Sequence, residues 1–361
     1  MPTKKPASPR KPGGRTRSAR APASGHAPAV TLGMVALAAG VSPSTVSRIL
    51  NGTAAVDDAK RQAVDDAIKR LGFVPNPVAR GLAGGRTLSV GVVTQSIDSP
   101  FYGVALRGIE EQLDHAGYSA LFVSGHWNAT EEARCVDTLR SRRVDGIIVL
   151  TGRLSDAALR SVAKDLPVVV TGRSLRAPNL CSVDFDNFEG ARLATDHLLA
   201  LGHRDIAFIS GDPRHPDAVE RQRGYRAALE AAGLPYRPAL VVSGMFQEEG
   251  GLAAANQLLD SRQPFTAILA ANDQMAIGAC LGLHRRSVQV PRDVSVVGFD
   301  DLPIARYVLP PLTTVQHPAY ELGKIAGTAM LQLLRGEKPD VQVPPPRVVV
   351  RESTLPLAAR T

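Results

Sequence analysis

The stretch AGVSPSTVSRILNG, residues 39–52, holds one arginine, no acidic residue and mostly small side chains. Gly40 suits the left-handed conformation that ends a helix. Ser42 is a good N-cap, and Pro43 suits the first position of a following helix, which should run to about Leu50. The stretch therefore predicts a tight turn followed by a short helix.

Two further short helices flank this one. Thr31 can cap a helix that precedes the turn, and Asp57 can cap a third helix that Gly72 would end. Helices of this length are marginal in isolation, so the three must pack against one another. We expect a small all-α domain at residues 30–74.

The middle helix has an apolar face and a polar face. Its apolar residues recur at helical spacing and should face the core of the domain. A helix that enters the major groove needs small polar residues on its other face, because its first side chains must reach base edges while hydroxyls meet phosphates. This pattern is typical of a helix-turn-helix, although any capped helix with a polar face is the alternative. The residues expected to face the core are Val46, Ile49 and Leu50, and those expected to face DNA are Ser42, Ser44, Thr45, Ser47 and Arg48.

Positive charge is concentrated at the start of the chain. The 361 residues carry a formal net charge of +8, of which residues 1–29 contribute +7 and residues 30–87 contribute +3, leaving −2 for the remainder. This asymmetry indicates a nucleic-acid-binding end joined to a body with another task. Residues 1–29 lack large apolar side chains, so we expect a disordered basic tail there, with an organellar transit peptide as the alternative.

The body alternates aliphatic runs with amphipathic segments. Such alternation predicts an α/β fold with buried parallel strands. About 270 residues are long for one sheet, so we expect two doubly wound lobes that bind a ligand at the carboxyl ends of their strands. Strands are predicted at 88–93, 119–124, 146–150, 168–171, 206–210, 267–270 and 294–299. Helices are predicted at 101–116, 131–141, 188–201, 220–232, 251–261 and 274–284.

Several functional classes lack support in the sequence. Cys135, Cys181 and Cys280 are far apart and form no CxxC motif, which favours a reducing cytosol over a disulfide or metal framework. His203 and His215 have no metal-ligating partners at useful spacing and are interpreted as loop residues. The chain has no apolar run near the roughly 20 residues of a membrane helix. It also lacks the common phosphate-binding, nucleophile-elbow and dinucleotide motifs, so we expect no enzyme, cofactor, metal or membrane partner.

Seven stretches, in order along residues 30–356, resemble the lactose/galactose-repressor (LacI/GalR) family of bacterial transcription regulators. One such stretch would be weak support, but seven in order with similar spacing are very specific. They read VALAAGVSPSTVSRILNG, GFVPNPVARGLAGGRTLSVGVV, RRVDGIIVL, DFDNFEGARLATDHLLALGHRDIAFISG, ANDQMAIGA, VPRDVSVVGFDD and PPLTTVQHP.

The resemblance implies a homodimer that reads a near-palindromic DNA operator. It also implies a hinge helix and linker at 75–87, in which Leu82 would act as an apolar wedge in the minor groove. By this resemblance Pro43 and Ser44 are the main base-reading residues. The full implied DNA-binding set is Thr31, Ser42, Pro43, Ser44, Thr45, Ser47, Arg48, Asn51, Asn76, Ala79 and Leu82.

The same resemblance implies a two-lobed effector and dimerisation domain at 88–357. Lobe 1 would span about 88–187 and 317–345, and lobe 2 about 188–316 and 346–357. A small molecule, most simply a neutral sugar or glycoside, would bind between them, because carboxylates accept from hydroxyls and aromatic faces cover the C–H face of a sugar. The implied effector-binding residues are Phe101, Tyr102, Asp217, Arg221, Phe246, Asn272, Asp273 and Asp300.

Several of these residues have a purely structural alternative. Asp273 could simply cap the helix that follows it, Phe101 could belong to the core, and Arg221 could be a solvated helix charge. Asp301 is expected at the surface.

The chain departs from the family pattern in three places that bear on DNA binding, the first being Gly33-Met34 in the first helix, where the glycine lowers helix propensity. Pro43 cannot donate or accept a side-chain hydrogen bond, so base reading should shift towards Ser44 and Arg48. Gly81 lies inside the predicted hinge helix and lowers its helix propensity. We therefore expect a hinge helix that is unfolded away from DNA.

The function predicted from these observations is a transcriptional regulator, most simply a repressor, whose operator affinity a small effector controls. Three alternatives remain open from the sequence. The lobes alone would also suit a sugar-binding protein for transport or a cytoplasmic sugar sensor without direct repression, and the cleft could serve an enzyme.

Overall fold

The computed structural model describes residues 30–51, 57–73 and 86–357, apart from the side chain of Asn51. The chain divides into two compact units, Met1–Arg80 and Gly81–Thr361. The predicted basic tail and the predicted hinge residues Asn76, Ala79 and Leu82 lie outside the described residues.

The first unit contains three helices, α1 (Leu32–Ala38), α2 (Pro43–Asn51) and α3 (Asp58–Leu71). The Oγ1 of Thr31 accepts a hydrogen bond from Met34 N at 3.3 Å, and the Oδ1 of Asp57 accepts one from Ala59 N at 3.2 Å. The two predicted N-caps are thereby confirmed. The predicted helix ends are also confirmed, because Gly40 and Gly72 adopt φ values of +67° and +63°.

A small aliphatic core joins these three helices. Side chains from α1, α2 and α3 are at most 2% exposed, and the partly buried Ile49 and Leu50 pack against them, as predicted. The five buried residues are Val35, Ala36, Val46, Val64 and Ala67. No one helix could bury this surface alone, so the unit depends on mutual packing.

The second unit begins with a five-stranded parallel sheet. Its strands are β1 (Ser89–Thr94), β2 (Ser119–Ser124), β3 (Gly146–Val149), β4 (Val168–Thr171) and β5 (Leu180–Val183), in the order β2-β1-β3-β4-β5. The helices that follow its strands are α4 (Pro100–Asp114), α5 (Ala129–Ser141) and α6 (Asp156–Val162).

A six-stranded sheet follows, in the order β11-β10-β9-β8-β6-β7. It is parallel except for β11, which runs antiparallel to β10. The strands are β6 (Ile206–Ser210), β7 (Val241–Ser243), β8 (Ala267–Ala270), β9 (Ser295–Asp300), β10 (Thr313–Gln316) and β11 (Arg347–Val349). The helices of this part are α7 (Asn187–Ala200), α8 (Pro216–Ala231), α9 (Glu248–Asp260) and α10 (Asp273–Arg285), with short 3-10 helices at Pro238–Leu240 and Pro303–Arg306.

The last helix, α11 (Ala319–Leu334), returns to the first sheet and packs on α4. Two glycines allow the two backbones to touch: a Cβ on Gly108 would lie 2.2 Å from Tyr320 O, and one on Gly323 would lie 2.1 Å from Ala105 O. We call the first sheet with α4–α6 and α11 lobe 1, and the second sheet with α7–α10 lobe 2. Within residues 86–357 the chain crosses between the lobes three times, after β5, after β10 and after α11.

Successive residues of a strand in lobe 1 point to opposite faces of the sheet and pack against different helices. In lobe 1, Val92 and Ile148 belong to one buried cluster with residues of α4, whereas Val93 and Ile147 belong to another with residues of α5 and α6. Helices therefore cover both faces of the sheet. The predicted doubly wound α/β fold is confirmed.

The seven predicted strands are all present within one residue at each end, and the six predicted helices are present as well. Four strands (β5, β7, β10 and β11) and two helices (α6 and α11) were not predicted. The missed strands have only three or four residues, and each of them contains Ser, Thr, Gln or Arg. They therefore lack the aliphatic runs on which the prediction depended.

In the part of the chain that the structure describes, no single helix is long and apolar enough to cross a membrane. Leu32–Ala38 and Pro43–Leu50 meet that length and composition only when taken together, and they are bent by 104°. The described residues also contain no group of three or more His, Cys, Asp or Glu side chains that could hold a metal ion.

Candidate functional site

The predicted DNA surface lies at the start of α2. α1 and α2 meet at 104°, within the range of helix-turn-helix motifs. Ser42, Pro43, Ser44 and Arg48 are exposed, whereas Thr45 and Ser47 are half-buried. Asn51 ends the helix, and its side chain lies outside the described residues.

Hydroxyl groups are clustered at this helix start. Ser42 Oγ accepts a hydrogen bond from Thr45 N at 3.2 Å, which confirms Ser42 as the N-cap. The same oxygen lies 2.8 Å from Ser44 Oγ and 2.9 Å from Thr45 Oγ1. Pro43 occupies the first helical position, where its missing N–H costs nothing. The first turn therefore presents small hydroxyls and the positive end of a helix dipole, which suits a phosphate backbone.

A cleft of about 470 Å³ lies between the lobes at the carboxyl ends of both sets of strands. Every predicted effector residue except Asp273 lines it. The predicted residues that do line it are Phe101, Tyr102, Asp217, Arg221, Phe246, Asn272 and Asp300.

Arg221 is held rigidly rather than solvated, because it is only 4% exposed. Its Nε donates to Asn187 Oδ1 at 2.8 Å, and its Nη1 donates to Ala271 O. The guanidinium carbon lies 3.7 Å from the centroid of the Phe299 ring. A planar cation fixed in this way can donate to a ligand without reorganising.

Asp300 faces Arg221 at the end of β9. Its Oδ1 lies 3.3 Å from Arg221 Nη1 and 3.5 Å from His317 Nδ1, but neither contact within the described residues meets the geometry of a hydrogen bond. Its φ of +114° is strained for a residue with a side chain. A buried acceptor without a hydrogen bond is one that a ligand hydroxyl can satisfy.

The predicted role of Asp273 in the cleft is wrong, because its carboxylate points away from the cleft. It accepts hydrogen bonds from Leu302 N at 2.7 Å and from Thr314 Oγ1 at 2.5 Å, and the residue is fully buried. The helix-cap alternative is wrong as well, because Asn272 Oδ1 accepts from Met275 N and is the N-cap of α10. Burial and the nearby Asp300 carboxylate raise the pKa of Asp273 well above its usual range.

Aromatic side chains supply part of the cleft wall. Phe101 is half-buried, so it serves both the core and the cleft. Phe246 has a φ of +64°, and its ring packs against Gly211, where a Cβ would lie 2.1 Å from Phe246 Cζ. The absence of a side chain at Gly211 therefore determines where the Phe246 ring can lie.

Both histidines lie in loops, as predicted, but neither is a plain surface residue. His203 is fully buried, and its ring contacts Thr266 Oγ1 at 2.9 Å. His215 Nδ1 accepts from Asp217 N at 3.2 Å and so caps α8. Burial lowers the pKa of His215, which is consistent with a neutral ring that accepts at Nδ1.

The expected surface position of Asp301 is wrong. Its side chain is only 4% exposed and forms an ion pair with Arg351, at the far end of the chain. The ion pair between Asp301 and Arg351 thus holds the C-terminal segment against lobe 2.

Several cleft residues were not predicted. They include Trp127, Arg153, Asp212, Arg214, His215 and Gln274. Trp127, Arg153 and Asp212 follow the carboxyl ends of β2, β3 and β6 by two to four residues. The rule that ligands bind at these strand ends could have identified them.

A helix-turn-helix and a two-lobed ligand cleft in one chain define the class of ligand-responsive DNA-binding regulators. Residues 31–76 match the bacterial regulatory proteins of the lacI family, and residues 195–354 match the periplasmic binding protein-like domain.

Relatives match along almost the whole chain. The HTH-type transcriptional regulator DegA of Bacillus subtilis is 37% identical over 329 residues, which cover 90% of this chain and 97% of that protein. The HTH-type transcriptional regulator CelR of Thermobifida fusca is 37% identical over 333 residues, which cover 90% of this chain and 98% of that protein. The chain therefore belongs to the LacI family and is a DNA-binding transcriptional regulator; its relatives are regulators rather than enzymes.

Solved structures agree with this assignment. The lac repressor dimer bound to operator and the anti-inducer ONPF matches with a TM-score of 0.83 and 32% identity, covering 91% of this chain and 99% of that chain. The complex of the transcriptional regulator CelR with cellobiose matches with a TM-score of 0.66 and 36% identity, covering 90% of this chain and 99% of that chain.

Proposed function

We propose that the protein is a repressor that occupies a near-palindromic operator and is controlled by a neutral sugar or glycoside bound between its lobes. The observation that carries the proposal is the cleft, in which fixed donors, open acceptors and aromatic faces surround a volume of about 470 Å³. Because an operator lies on the chromosome, the protein would act in the cytoplasm.

The charges of the cleft favour an uncharged ligand. Arg221 faces Asp300 at 3.3 Å, and Arg153 and Arg214 both bind Asp212 at 3.0 and 2.9 Å. An anionic ligand would have to displace these carboxylates from their arginines. A neutral polyol can instead donate its hydroxyl groups to the carboxylates and accept from the guanidinium groups.

At the DNA end, the exposed start of α2 supports the base-reading role of Pro43 and Ser44 and the phosphate contact of Arg48. Thr31 would contribute at the start of α1. The hinge residues Asn76, Ala79 and Leu82, together with Asn51, stay predictions of minor-groove and base contact.

The homodimer is supported by an exposed apolar segment in lobe 2. Ile304, Tyr307 and Leu309 are 48%, 81% and 94% exposed within six residues of one another. Large apolar side chains so close together are suited to a self-complementary two-fold interface. We assign lobe 1 to about 88–187 and 317–345, and lobe 2 to about 188–316 and 346–357.

Two measurements test the proposal. A thermal-shift screen of neutral sugars should find one that raises the melting temperature, because a ligand that binds only the folded state stabilises it by mass action. Sites selected from random DNA should be near-palindromic, and the same sugar should change the affinity for them. A sugar that binds without changing operator affinity would instead favour a sugar-binding protein or a sensor without direct repression.

A further inference from the structure

Two side chains of lobe 1 reach across the cleft to lobe 2. Arg153 Nη2 lies 3.0 Å from Asp212 Oδ2, and the Trp127 ring centroid lies 4.1 Å from that of His215. The side chains of Arg153 and Asp212 are only 24% and 16% exposed, so solvent screens their ion pair less than a surface pair.

Buried groups of lobe 1 fix the two loops that carry these side chains. The Glu132 carboxylate, fully buried, accepts hydrogen bonds from Arg153 N and Leu154 N at 2.8 Å. Gln95, also fully buried, accepts from Trp127 N at 2.9 Å. Gly152 provides the space for both, because a Cβ there would lie 2.5 Å from Gln95 Nε2 and 2.7 Å from Glu132 Oε2.

The receiving side chains of lobe 2 are fixed as well. Arg214 N donates to Asp212 Oδ1 at 2.9 Å, and Arg214 Nη2 donates to Asp212 Oδ2 at 2.9 Å. These Arg214 hydrogen bonds hold the pKa of Asp212 below its usual range, so the carboxylate is charged. His215 is held by the hydrogen bond from Asp217 N. The two loops of lobe 1 and the receiving side chains of lobe 2 are therefore fixed independently of closure, which lowers the entropy lost on closing.

We propose that Trp127 and Arg153 of lobe 1, with His215 and Asp212 of lobe 2, form an interlobe latch that holds the cleft closed. The latch places the binding-competent closed state in the resting population, and its opening limits the entry and exit of the effector. The role of the latch in effector entry and exit rests on the proposed function.

The single tryptophan of the chain makes the latch directly measurable. Trp127 is the only tryptophan among the 361 residues, so intrinsic fluorescence reports on one side of the latch alone. Asp212 also provides a matched pair of substitutions. Arg153→Ala removes the arginine that reaches Asp212 from the opposite lobe, whereas Arg214→Ala removes the arginine that reaches it from the same lobe.

The experiment is acrylamide quenching of Trp127 in the full chain, with no sugar and no DNA. We expect Arg153→Ala to raise the Stern–Volmer constant about twofold or more, because a larger share of molecules is open. Arg214→Ala should raise the constant clearly less, because the ion pair between the lobes persists and the backbone N–H of residue 214 still donates to Asp212. Asp212→Asn should reproduce the effect of Arg153→Ala from the other lobe, and circular dichroism of each variant confirms that it is folded.

Two results would overturn the latch. One is an unchanged constant in Arg153→Ala and Asp212→Asn. The other is an equal rise in Arg153→Ala and Arg214→Ala, since both substitutions would then act only on the loop of Asp212. Because no effector is used, a failure of the latch leaves the proposed function standing, and a failure to find a sugar leaves the latch result intact.

Discussion

Arg48 is the exposed cation of the α2 surface, and its replacement tests the DNA end directly. We expect Arg48→Ala to weaken operator binding and to reduce the slope of log affinity against log salt by about one, because one phosphate contact releases about one counterion. Fluorescence anisotropy of a labelled operator at several salt concentrations measures both quantities.

The matched control is Arg61→Ala, which removes the same charge from an exposed position of α3. It should leave most of the slope in place. If both substitutions reduced the salt slope equally, Arg48 would attract DNA only through the net charge of the domain and would not contact a phosphate. Binding of sugars should be unaltered in either variant.

Asp273 provides a test of the buried polar network behind the cleft. Burial raises its pKa well above 3.8 in the folded protein, so the folded state binds this proton more tightly than the unfolded state does. Its contribution to stability is therefore greatest below the unfolded pKa and declines as pH rises through the folded value.

We expect Asp273→Asn to flatten this part of the pH dependence. Urea denaturation of both proteins between about pH 4 and pH 8 measures it, because that window begins near the ordinary pKa of an aspartate. The variant should lose less stability than the parent protein across the window. An equal loss in both would show that Asp273 titrates normally and that its burial has no thermodynamic consequence.

The residues that could be predicted from sequence are those whose role is local. Thr31, Gly40 and Ser42 act on the backbone within three residues, and each has its predicted role. Asp273 and Asp301 were wrongly predicted because their partners, Thr314 and Arg351, lie about 40 and 50 residues further along the chain. The position of Arg153 after β3 could have been noted from the sequence, but its pairing with Asp212 could not, because Asp212 belongs to the other lobe.

At the scale of elements, the cap of α2 holds the helix start that faces DNA. We expect Ser42→Ala to destabilise α2 by about 1 kcal/mol, because an orphan N–H loses its acceptor. Hydrogen exchange at the Thr45 amide should become faster, since that amide donates to Ser42 Oγ.

Ser44→Ala is the control, because Ser44 Oγ contacts the cap but accepts no hydrogen bond from the helix backbone within the described residues. In Ser44→Ala, the rate of hydrogen exchange at the Thr45 amide should stay near that of the parent protein. If the Thr45 amide were equally protected from exchange in Ser42→Ala and in the parent protein, the Ser42 cap would not stabilise the start of α2.

Strands with a strong aliphatic run were predicted within one residue at each end, whereas β5, β7, β10 and β11 were not predicted at all. These short strands exist because an already formed sheet edge offers them hydrogen-bond partners, as β10 does for β11. Such pairing depends on tertiary structure, and a window of three or four residues contains little sign of it.

At the scale of the whole molecule, the proposed repressor couples its two ligands. If a sugar lowers operator affinity by some factor, the operator must lower sugar affinity by the same factor. Isothermal titration of the sugar into free protein and into protein saturated with operator DNA measures the second factor. A single unrelated DNA duplex serves as the control, and unequal factors would mean that the sugar acts outside this cycle.

The three crossings between the lobes limit how the effector domain can deform. A single connecting segment would let one lobe swivel freely, but three segments must flex in concert. The relative rotation of the lobes is thereby reduced to opening and shutting about one shared axis. Because three segments connect the lobes, cleavage of any one of them would leave the lobes covalently joined by the other two.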